Sequence, residues 1–597
     1  MSATTLGAPA ASGHSRDVAL GRRFFRYVRP YRLRLGGALA LLFLSGALEL
    51  AGPYLTKIAI DDGVRAGNGH TLGLVCLAFA AVLMLEFVAA YFQDLFVVTA
   101  GQAVMRDLRR DVFAHLQRMG VAWFDRNPSG RVVTRITSDV ETLNELLTSG
   151  LVTILADVVT LVGIMTVLLW MNASLALLVF LILPFLVAAS LSFREKARKG
   201  FRETREQVAQ MSGMMQETLG GMEVVKLFGR EAENDVRFDE HNAGCRDAWL
   251  DTIEAFSIFF PLVNFMLAIT LATVLWGGGL RVMAGTLTFG GLVAFLQYVQ
   301  RFFVPLRDLS EKYNILQGAL AAAERIFGVL DAEATEDFDA RTDLVRLDAV
   351  RGDVEFQHVS FHYVEGEPVL RDVSFRVRPG ERVAVVGATG AGKSTVLSLL
   401  LGFYRPTSGR ILVDGQDVAG LDPRSLRRRV ATVAQDVFLF SADVDWNVRL
   451  GDEELPESAV DRALAASRSD RFVARLPAGR RERLGERGRN LSQGERQLLS
   501  FARALARDPD VLLLDEATAS VDSETEGLVQ EALGELLAGR TCLVVAHRLS
   551  TVLDADRILV MHKGELVEEG THDELVQRGG IYARLAEIQF GFDGAAA

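Results

Sequence analysis

The sequence predicts an all-helical membrane domain followed by an α/β domain, and three observations lead to this prediction. The 597 residues are 50% hydrophobic yet 23% charged, a mixture that indicates a membrane part joined to a charged soluble part. Apolar segments long enough to cross a bilayer, at about 20 residues each, recur between residues 35 and 306. Short apolar strands alternate with helical patterns from residue 354 onward, which favours a substantially parallel sheet.

Composition also excludes several classes of protein. So high a hydrophobic fraction rules out a disordered chain. The net charge of −11 makes an electrostatic grip on nucleic acid unsuitable as a main role, so no nucleic-acid partner is expected. The cysteines Cys76, Cys245 and Cys542 have neither a metal-binding spacing nor an even number, which is typical of a protein kept in a reducing interior.

The membrane domain is predicted at residues 21–320, after a disordered Ala-, Ser- and Gly-rich tail at 1–20. Arginine is concentrated before the first span and in the long stretch 99–145, and the stretch 194–255 is also long and charged. An excess of Arg and Lys marks the cytoplasmic side, so both termini and both long loops are expected inside the cell. The alternative is a large soluble all-α protein, although its helices would usually be shorter. The six spans are predicted near residues 35–60, 72–98, 146–170, 173–193, 256–280 and 287–306.

A change in composition near residue 320 marks the end of the membrane domain. Residues 321–345 combine the end of a helical pattern with an acidic stretch and are predicted to be a linker. The α/β domain is expected at 346–590, where strands such as VEFQHVSF at 354–361 and VLLLDE at 511–516 lie between helical patterns.

The most specific motif of the α/β domain follows the apolar strand RVAVV. Residues Gly387–Ser394 match G-x-x-x-x-G-K-[ST] and open a helical pattern, which is the context that a phosphate-binding loop requires. Glycines let backbone N–H groups wrap around phosphates, and the helix N-terminus adds positive potential. Lys393 is expected to reach the β- and γ-phosphates of ATP, and Ser394 to bind Mg²⁺. The predicted ATP-binding residues of this segment are Gly387, Ala388, Thr389, Gly390, Ala391, Gly392, Lys393, Ser394 and Thr395.

Residues that suit ATP hydrolysis follow in order along the chain. An apolar strand ends in Asp515 and Glu516. Asp515 is expected to hold Mg²⁺, and Glu516 to polarise the attacking water as a catalytic residue. His547 follows another apolar strand and is interpreted as a catalytic sensor of the γ-phosphate. The alternatives are acids that merely cap the next helix and an ordinary histidine.

These motifs resemble those of the ATP-binding cassette (ABC) transporters. Residues Leu491–Gln497 read LSQGERQ, which is similar to the LSGGQ signature of that family. The resemblance implies that Tyr363 stacks on adenine, that Gln435 contacts ATP and Mg²⁺, and that Asp522 lies at a subunit interface. The implied Mg²⁺ ligands are then Ser394, Gln435 and Asp515.

The same resemblance implies a second half-transporter subunit, since the sequence has one phosphate-binding loop and one signature. In the family, two nucleotide domains face head to tail, and each signature covers the phosphates bound by the other domain. Glutamine and glutamate replace consensus glycine and glutamine in this signature, which favours the catalytically intact half of a heterodimer; a homodimer is the alternative. The signature residues expected to act on the partner's ATP are Ser492, Gln493, Gly494 and Glu495.

The membrane half resembles the six-helix exporters of the family, in which two cytoplasmic loops contact the nucleotide domains. The candidate contact tips are WFDRN at 123–127 and FGREAEN at 228–234. Three carboxylates, Glu49, Glu86 and Asp157, lie in the predicted spans about 16–21 Å from the outer side, at ~1.5 Å per residue. Charges at this depth are unfavourable and usually face a cavity or a partner. They predict an acidic cavity for small cationic amphipathic cargo; the alternative is carboxylates hydrogen-bonded between helices or neutral by protonation.

The sequence thus predicts an ATPase of the plasma or inner cell membrane that exports or flips hydrophobic or amphipathic compounds, drug-like or lipid-like. A different class remains as an alternative: an ATP-gated channel, or a regulatory ATP-binding membrane protein without pumping. A peptide is the alternative cargo, and a few members of the family with exporter architecture import.

Overall fold

The computed structural model describes residues 13–336, 344–347, 349–515, 523–546 and 549–590. These residues form two compact units. The first unit holds the described residues up to Gln117 and from Pro128 to Glu333. The second holds Arg118–Asn127 and the described residues from Ala334 onward. A short segment of the first long loop therefore belongs to the same unit as the α/β domain.

The first unit is built from helices longer than a bilayer requires. Helix α3 has 48 residues and α10 has 53, or about 70–80 Å at ~1.5 Å per residue, against a hydrocarbon core of about 30 Å. The predicted long loops are therefore largely continuations of the helices. The helices are α1 Gly13–Val28, α2 Arg32–Ile58, α3 Gly69–Leu116, α4 Val121–Arg126, α5 Ser129–Thr134, α6 Val140–Glu145, α7 Val152–Phe180, α8 Leu183–Gly220, α9 Met222–Phe228, α10 Glu231–Met283 and α11 Phe289–Leu330, of which α4 belongs to the second unit.

Four helical stretches in the described part of the chain are long and apolar enough to cross a membrane: Ala19–Val64, Gly69–Leu116, Ser129–Phe180 and Glu231–Met283. Of the six predicted spans, the one at 173–193 lies only partly within these stretches, and the one at 287–306 lies outside them. Asn172, with φ of −163° and ψ of 99°, breaks α7 between the predicted spans at 146–170 and 173–193, and its Oδ1 accepts a 3.0 Å hydrogen bond from the Leu175 N–H. The second of these spans then continues from α7 into α8, because Leu181 and Ile182 keep helical backbone angles. The span at 287–306 lies in α11, where Gln297, Gln300 and Arg301 reduce the apolar character.

The surface of these helices is markedly apolar. Trp276 is 74% exposed, Trp170 and Leu77 are 71% exposed, and Phe87 is 68% exposed. So many exposed large apolar side chains are typical of a membrane-facing region rather than of a water-exposed one. The helices therefore have the surface that lipid contact requires.

The ends of the first unit differ from the sequence-based boundaries. Helix α1 begins at Gly13, so the later part of the predicted tail is helical, whereas residues 1–12 lie outside the described residues. Arg23 of α1 donates two hydrogen bonds of 2.6 and 2.7 Å to Asp331, and its guanidinium lies 4.7 Å from the centre of the Phe327 ring. These contacts hold α1 against the end of α11. Because α11 continues to Leu330, the first part of the predicted linker is helical as well.

The second unit contains two sheets. The larger has the strand order β10-β9-β3-β8-β7-β6, and all its neighbours are parallel except β10 and β9. The smaller is antiparallel, with the order β2-β1-β4-β5. The prediction of an α/β domain with a mainly parallel sheet is confirmed. The strands are β1 Val354–His362, β2 Pro368–Val377, β3 Arg382–Gly387, β4 Ser408–Val413, β5 Gln416–Asp417, β6 Val430–Val433, β7 Val511–Asp515, β8 Thr541–Val545, β9 Arg557–His562 and β10 Glu565–Gly570.

Helices surround the larger sheet and bury its strands. Val383, Leu513 and Leu543 on one face are at most 1% exposed, and Leu512 and Leu514 on the other face are 0% exposed. The central strands are therefore apolar on both faces, as parallel strands usually are. The carboxyl ends of β3, β8 and β7 meet at one edge of the sheet, where such domains bind ligands. The helices are α12 Lys393–Leu400, α13 Pro423–Arg429, α14 Val444–Arg449, α15 Glu457–Ala466, α16 Asp470–Val473, α17 Gln493–Ala506, α18 Ser523–Leu537, α19 Leu549–Leu553, α20 His572–Arg578 and α21 Ile581–Phe590.

Candidate active site

The glycine-rich loop between β3 and α12 has a backbone that only glycine adopts readily. Gly390 and Gly392 have φ values of +81° and +96°, in the left-handed region that disfavours side chains. A Cβ on Gly392 would also lie 2.6 Å from Leu370 Cδ2 and 3.1 Å from the Val369 carbonyl oxygen. Residues Ala388–Gly390 are exposed at the tip of the loop, whereas Ala391 and Thr395 are buried. The sequence therefore forms an open-tipped loop over a closely packed base.

The side chain of Lys393 folds back onto the first residues of this loop. Its side chain belongs to a residue that is only 7% exposed, and Nζ donates hydrogen bonds of 2.9 and 3.2 Å to the Gly387 and Ala388 carbonyl oxygens. The ammonium group is thus held at the first residues of the loop. A buried ammonium in contact with neutral carbonyls is well suited to exchange them for phosphate oxygens, which bind it more strongly.

Ser394 and Asp515 meet at the same edge, although 121 positions separate them in the chain. Ser394 Oγ donates a 3.2 Å hydrogen bond to Asp515 Oδ1 at the end of β7. Hydroxyl and carboxylate oxygens are the hard ligands that Mg²⁺ prefers. In the described part of the chain no three His, Cys, Asp or Glu side chains form a metal-binding group, so a metal here would also need water or phosphate oxygens. Gln435 follows β6 and is exposed.

Three residues proposed from sequence, Glu516, Asp522 and His547, lie outside the described residues. Their roles therefore stay predictions. Glu516 directly follows β7, which ends at Asp515, and His547 comes two residues after the end of β8 at Val545. Strand β8 lies between β3 and β7 in the sheet.

Tyr363 lies just beyond β1 with its ring firmly held. Its hydroxyl is 3.2 Å from Thr395 Oγ1 in α12. Phe361 and Tyr404 pack against it edge to face, with ring centres 4.8 and 5.0 Å away. The residue is still 38% exposed. A fixed and partly exposed aromatic ring beside the phosphate-binding loop has the geometry needed to stack on a base.

Tyr404 was missed by the sequence reasoning, since it belongs to none of the recognised motifs. Its hydroxyl donates a hydrogen bond to Asp125 Oδ2 in α4. Burial, together with this hydrogen bond, raises the pKa of Tyr404 above its usual value. The phenol therefore remains a protonated donor at physiological pH.

The signature segment starts helix α17. Ser492 Oγ accepts a 3.2 Å hydrogen bond from the Glu495 N–H, and Glu495 Oε2 accepts one of 2.9 Å from the Ser492 N–H. This reciprocal pair is a capping box. It accounts for the unusual glutamate: its carboxylate is turned back onto the backbone of Ser492, with Oε1 3.9 Å from Arg475. Ser492 and Gln493 are exposed and Gly494 is buried, so the start of the helix is available at the surface.

Arg503 is a second residue that the sequence reasoning missed. It lies in α17 and donates 3.0 Å hydrogen bonds to the carbonyl oxygens of Phe438 and Asn447. Burial lowers the pKa of Arg503 to about 10, so the guanidinium stays charged at neutral pH. The signature helix is thereby joined to the segment that follows Gln435. Arg503 lies outside the recognised motifs, so no sequence signal indicated it.

The membrane half contains a second group of charges. Glu49 in α2 interacts electrostatically with Glu86 in α3 and Asp157 in α7. Arg301 in α11 lies beside Glu49: Nη1 is 2.7 Å from the Glu49 carbonyl oxygen and 3.6 Å from Glu49 Oε1. The structure therefore brings the three predicted carboxylates together and adds a cation that the sequence reasoning left out. Arg301 was visible as a charge within a predicted span.

Comparison with known proteins matches both units. A family model described as the ABC transporter transmembrane region matches residues 35–306, and one described as ABC transporter matches residues 370–519. The ATP-dependent lipid A-core flippase of Syntrophus aciditrophicus (strain SB) is 34% identical over 572 residues, covering 96% of this chain and 95% of that protein. A fatty acid ABC transporter ATP-binding/permease protein of Mycobacterium bovis (strain ATCC BAA-935 / AF2122/97) is 37% identical over 516 residues, covering 86% and 80%. The solved structure of a bacterial Atm1-family ABC exporter with ATP bound has a TM-score of 0.74 and 30% identity, with 94% of this chain and 99% of that one covered.

Proposed function

This chain belongs to the ABC transporter family, and we propose that it exports or flips amphipathic compounds by hydrolysing ATP between two subunits. The observation that carries the proposal is the contact between Ser394 and Asp515, because it joins the phosphate-binding loop to the acidic strand. The names of the two relatives, a lipid A-core flippase and a fatty acid transporter, favour cargo with long apolar chains. The long apolar helices of the first unit support a location in a membrane.

The site supports ATP hydrolysis through a division of roles. The loop backbone and Lys393 bind the phosphates, and Ser394, Asp515 and Gln435 would hold Mg²⁺. Mg²⁺ bound there would neutralise charge that develops on the phosphates. Glu516 takes the role of polarising the attacking water, and His547 that of contacting the γ-phosphate.

Two features of the chain support a second subunit. The start of α17 is exposed, and helix N-termini attract phosphate; Ser492 and Gly494 would therefore contact ATP held by the partner, with Asp522 at the interface. The tip of the second long loop is also exposed, with Leu227 at 77% and Phe228 at 69%. Large apolar side chains at a helix end are typical of a contact surface. We assign this tip to docking on the nucleotide domain of the partner subunit.

The signature leaves two assemblies to be distinguished. Substitution of the consensus residues favours a heterodimer with a second half-transporter. A homodimer is the alternative, and the capping box supports it, since Glu495 is used to stabilise the helix start. Purification of this chain alone decides between them: an active dimer of identical chains means a homodimer, whereas activity that requires co-expression of another half-transporter means a heterodimer.

We assign the charge cluster of Glu49, Glu86, Asp157 and Arg301 to contact with cargo. Three carboxylates and one guanidinium carry a net negative charge, which favours cationic amphipathic compounds. The cluster includes side chains from four different helices, so movement of those helices would change its geometry. The nucleotide domain and both termini are assigned to the cytoplasmic side of the cell membrane, because arginine is concentrated in the loops on that side.

Trapping of ATP tests the proposed ATPase directly. Glu516→Gln is expected to retain ATP and to hold the nucleotide domains together while turnover stops, because the water is no longer polarised. The measurements are ATP turnover, retained nucleotide and cross-linking between subunits in the purified assembled complex. Turnover near the wild-type rate would reject the role of Glu516.

A further inference from the structure

A cavity of about 430 Å³ opens beside Tyr363, and helix α4 forms one of its walls. Its volume lies within the range of small-molecule sites in proteins, roughly 300–1,000 Å³. Asp125 and Arg126 of α4 line it together with Tyr363, Ser398 and Tyr404 of the α/β domain. Helix α4 comes from the first long loop of the membrane half, yet it belongs to the same compact unit as the α/β domain.

Two polar contacts hold α4 at this cavity. Tyr404 donates a hydrogen bond to Asp125, and Arg126 Nη2 donates one of 3.5 Å to the Tyr363 carbonyl oxygen. Because the Tyr404 ring also packs edge to face against Tyr363, the residues that position α4 are the ones that border the proposed base site. Among the described residues that line the cavity, Arg126 is the one cation.

We propose that Arg126 of α4 contacts the purine base of ATP bound to the phosphate-binding loop of the same chain. The proposal rests on the proposed function, and in particular on stacking of the base against Tyr363. A base on that ring would extend into the cavity that Arg126 and Asp125 of α4 also line. A guanidinium suits this position, because it stacks on aromatic faces and donates to ring nitrogens. A helix of the membrane half then forms part of the nucleotide site.

Binding of a ligand that carries the base is compared with binding of one that lacks it, to test this contact. The full-length chain carrying Glu516→Gln, in its assembled complex, is titrated with Mg-ATP and, separately, with Mg-tripolyphosphate, which lacks base and ribose. Arg126→Ala is expected to weaken binding of Mg-ATP about five- to tenfold, the loss of one good polar or stacking contact. Binding of tripolyphosphate is expected to stay within twofold. Arg126→Lys is expected to retain part of the affinity for ATP, since the charge remains but the planar group is lost.

Arg131→Ala is the matched control. Arg131 is an exposed arginine a few positions further along the same loop and does not line the cavity. It is expected to leave both affinities unchanged. Equal affinity for ATP in Arg126→Ala and the parent would overturn the proposal. So would equal weakening of both ligands, because that pattern indicates a general disturbance of the loop.

A further variant separates this proposal from the proposed function. Lys393→Ala is expected to weaken both ligands strongly, since Lys393 is assigned to the phosphates. If Lys393→Ala binds ATP normally, the assigned ATP site is wrong. If Lys393→Ala loses both ligands while Arg126→Ala binds ATP like the parent, the ATP site stands and only the role of Arg126 is rejected.

Discussion

The ATP site and the intramembrane charge cluster are assembled from very different stretches of the chain. One continuous segment, Gly387–Thr395, supplies most of the ATP site, and its shape depends on backbone conformations that specific residues permit. The charge cluster takes Glu49, Glu86, Asp157 and Arg301 from four helices. A site of the first kind can be changed by a single methyl group. A site of the second kind depends on helix packing, so several substitutions are needed to remove it.

Gly392→Ala should produce the largest effect. The added methyl group would lie 2.6 Å from Leu370 Cδ2, on a residue with φ of +96°, so the loop must shift. Displacement of about 1 Å can lower a rate about 100-fold, and a loss of ATP turnover of at least about that size is expected. The control is Gly420→Ala, because an added Cβ there meets no atom within 4 Å. Near-normal ATPase activity in Gly392→Ala would show that the loop tolerates a side chain.

Neutral substitutions in the intramembrane cluster should have a smaller effect, confined to the transport of cationic cargo. Glu49→Gln, Glu86→Gln and Asp157→Asn combined are expected to lower transport of a cationic dye about tenfold, the equivalent of ~1.4 kcal/mol. ATP binding should be unchanged. Each variant is also measured singly, and a neutral amphipathic compound serves as the control cargo. Unchanged transport of cationic dyes that the parent protein moves would remove the cargo role. Equal loss for cationic and neutral cargo would indicate a structural role.

Two capping boxes in the described part of the nucleotide domain allow a matched comparison within one region. Ser492 and Thr571 each cap a helix through the same reciprocal pattern, and loss of such a cap costs about 1 kcal/mol. Ser492→Ala and Thr571→Ala are therefore expected to lower the unfolding temperature similarly. Only Ser492→Ala should also lower ATP turnover, about tenfold or more, because Ser492 is assigned to the partner's ATP. Equal activity of the two variants would contradict that assignment.

The smallest expected effect is a difference in reactivity between two cysteines, Cys542 in the second unit and Cys76 in the first. Burial raises the pKa of the Cys542 thiol to about 12, so it is expected to resist N-ethylmaleimide at pH 8 in the folded protein. Cys76 is exposed on α3 and is expected to react first. Preferential modification of Cys542 would contradict the burial of β8.

The raised pKa of Cys542 also determines how the stability of the folded protein changes with pH. The folded pKa lies above the unfolded value of about 8.5. The contribution of Cys542 to stability is therefore complete below about pH 8.5 and is lost as the pH rises toward 12. Cys542→Ala should remove this part of the alkaline loss, measured by denaturation between pH 8 and 10. An unchanged pH dependence would show that other groups cause it.

The contrast between the regions also explains which features could be predicted from sequence. The phosphate-binding loop and the strand before it are local patterns, and the structure has them where they were expected. Ser394 and Asp515 were each predicted as Mg²⁺ ligands from their motifs, and the structure brings the two side chains into contact. Arg301 and Tyr404 were missed because their partners, Glu49 and Asp125, are distant in sequence and meet them only through packing. The boundary between the spans at 146–170 and 173–193 was predictable from composition, and the backbone breaks there at Asn172.

Accumulation in proteoliposomes tests the central claim, that ATP hydrolysis drives cargo across the membrane, most directly. The assembled complex is reconstituted, and uptake of a fluorescent cationic amphipathic compound is followed against its own gradient. The account predicts accumulation above equilibrium with Mg-ATP outside, and none with the Gly392→Ala chain or with a non-hydrolysable analogue. ATP-dependent movement that stops at equal concentrations would contradict pumping and indicate a gated channel instead.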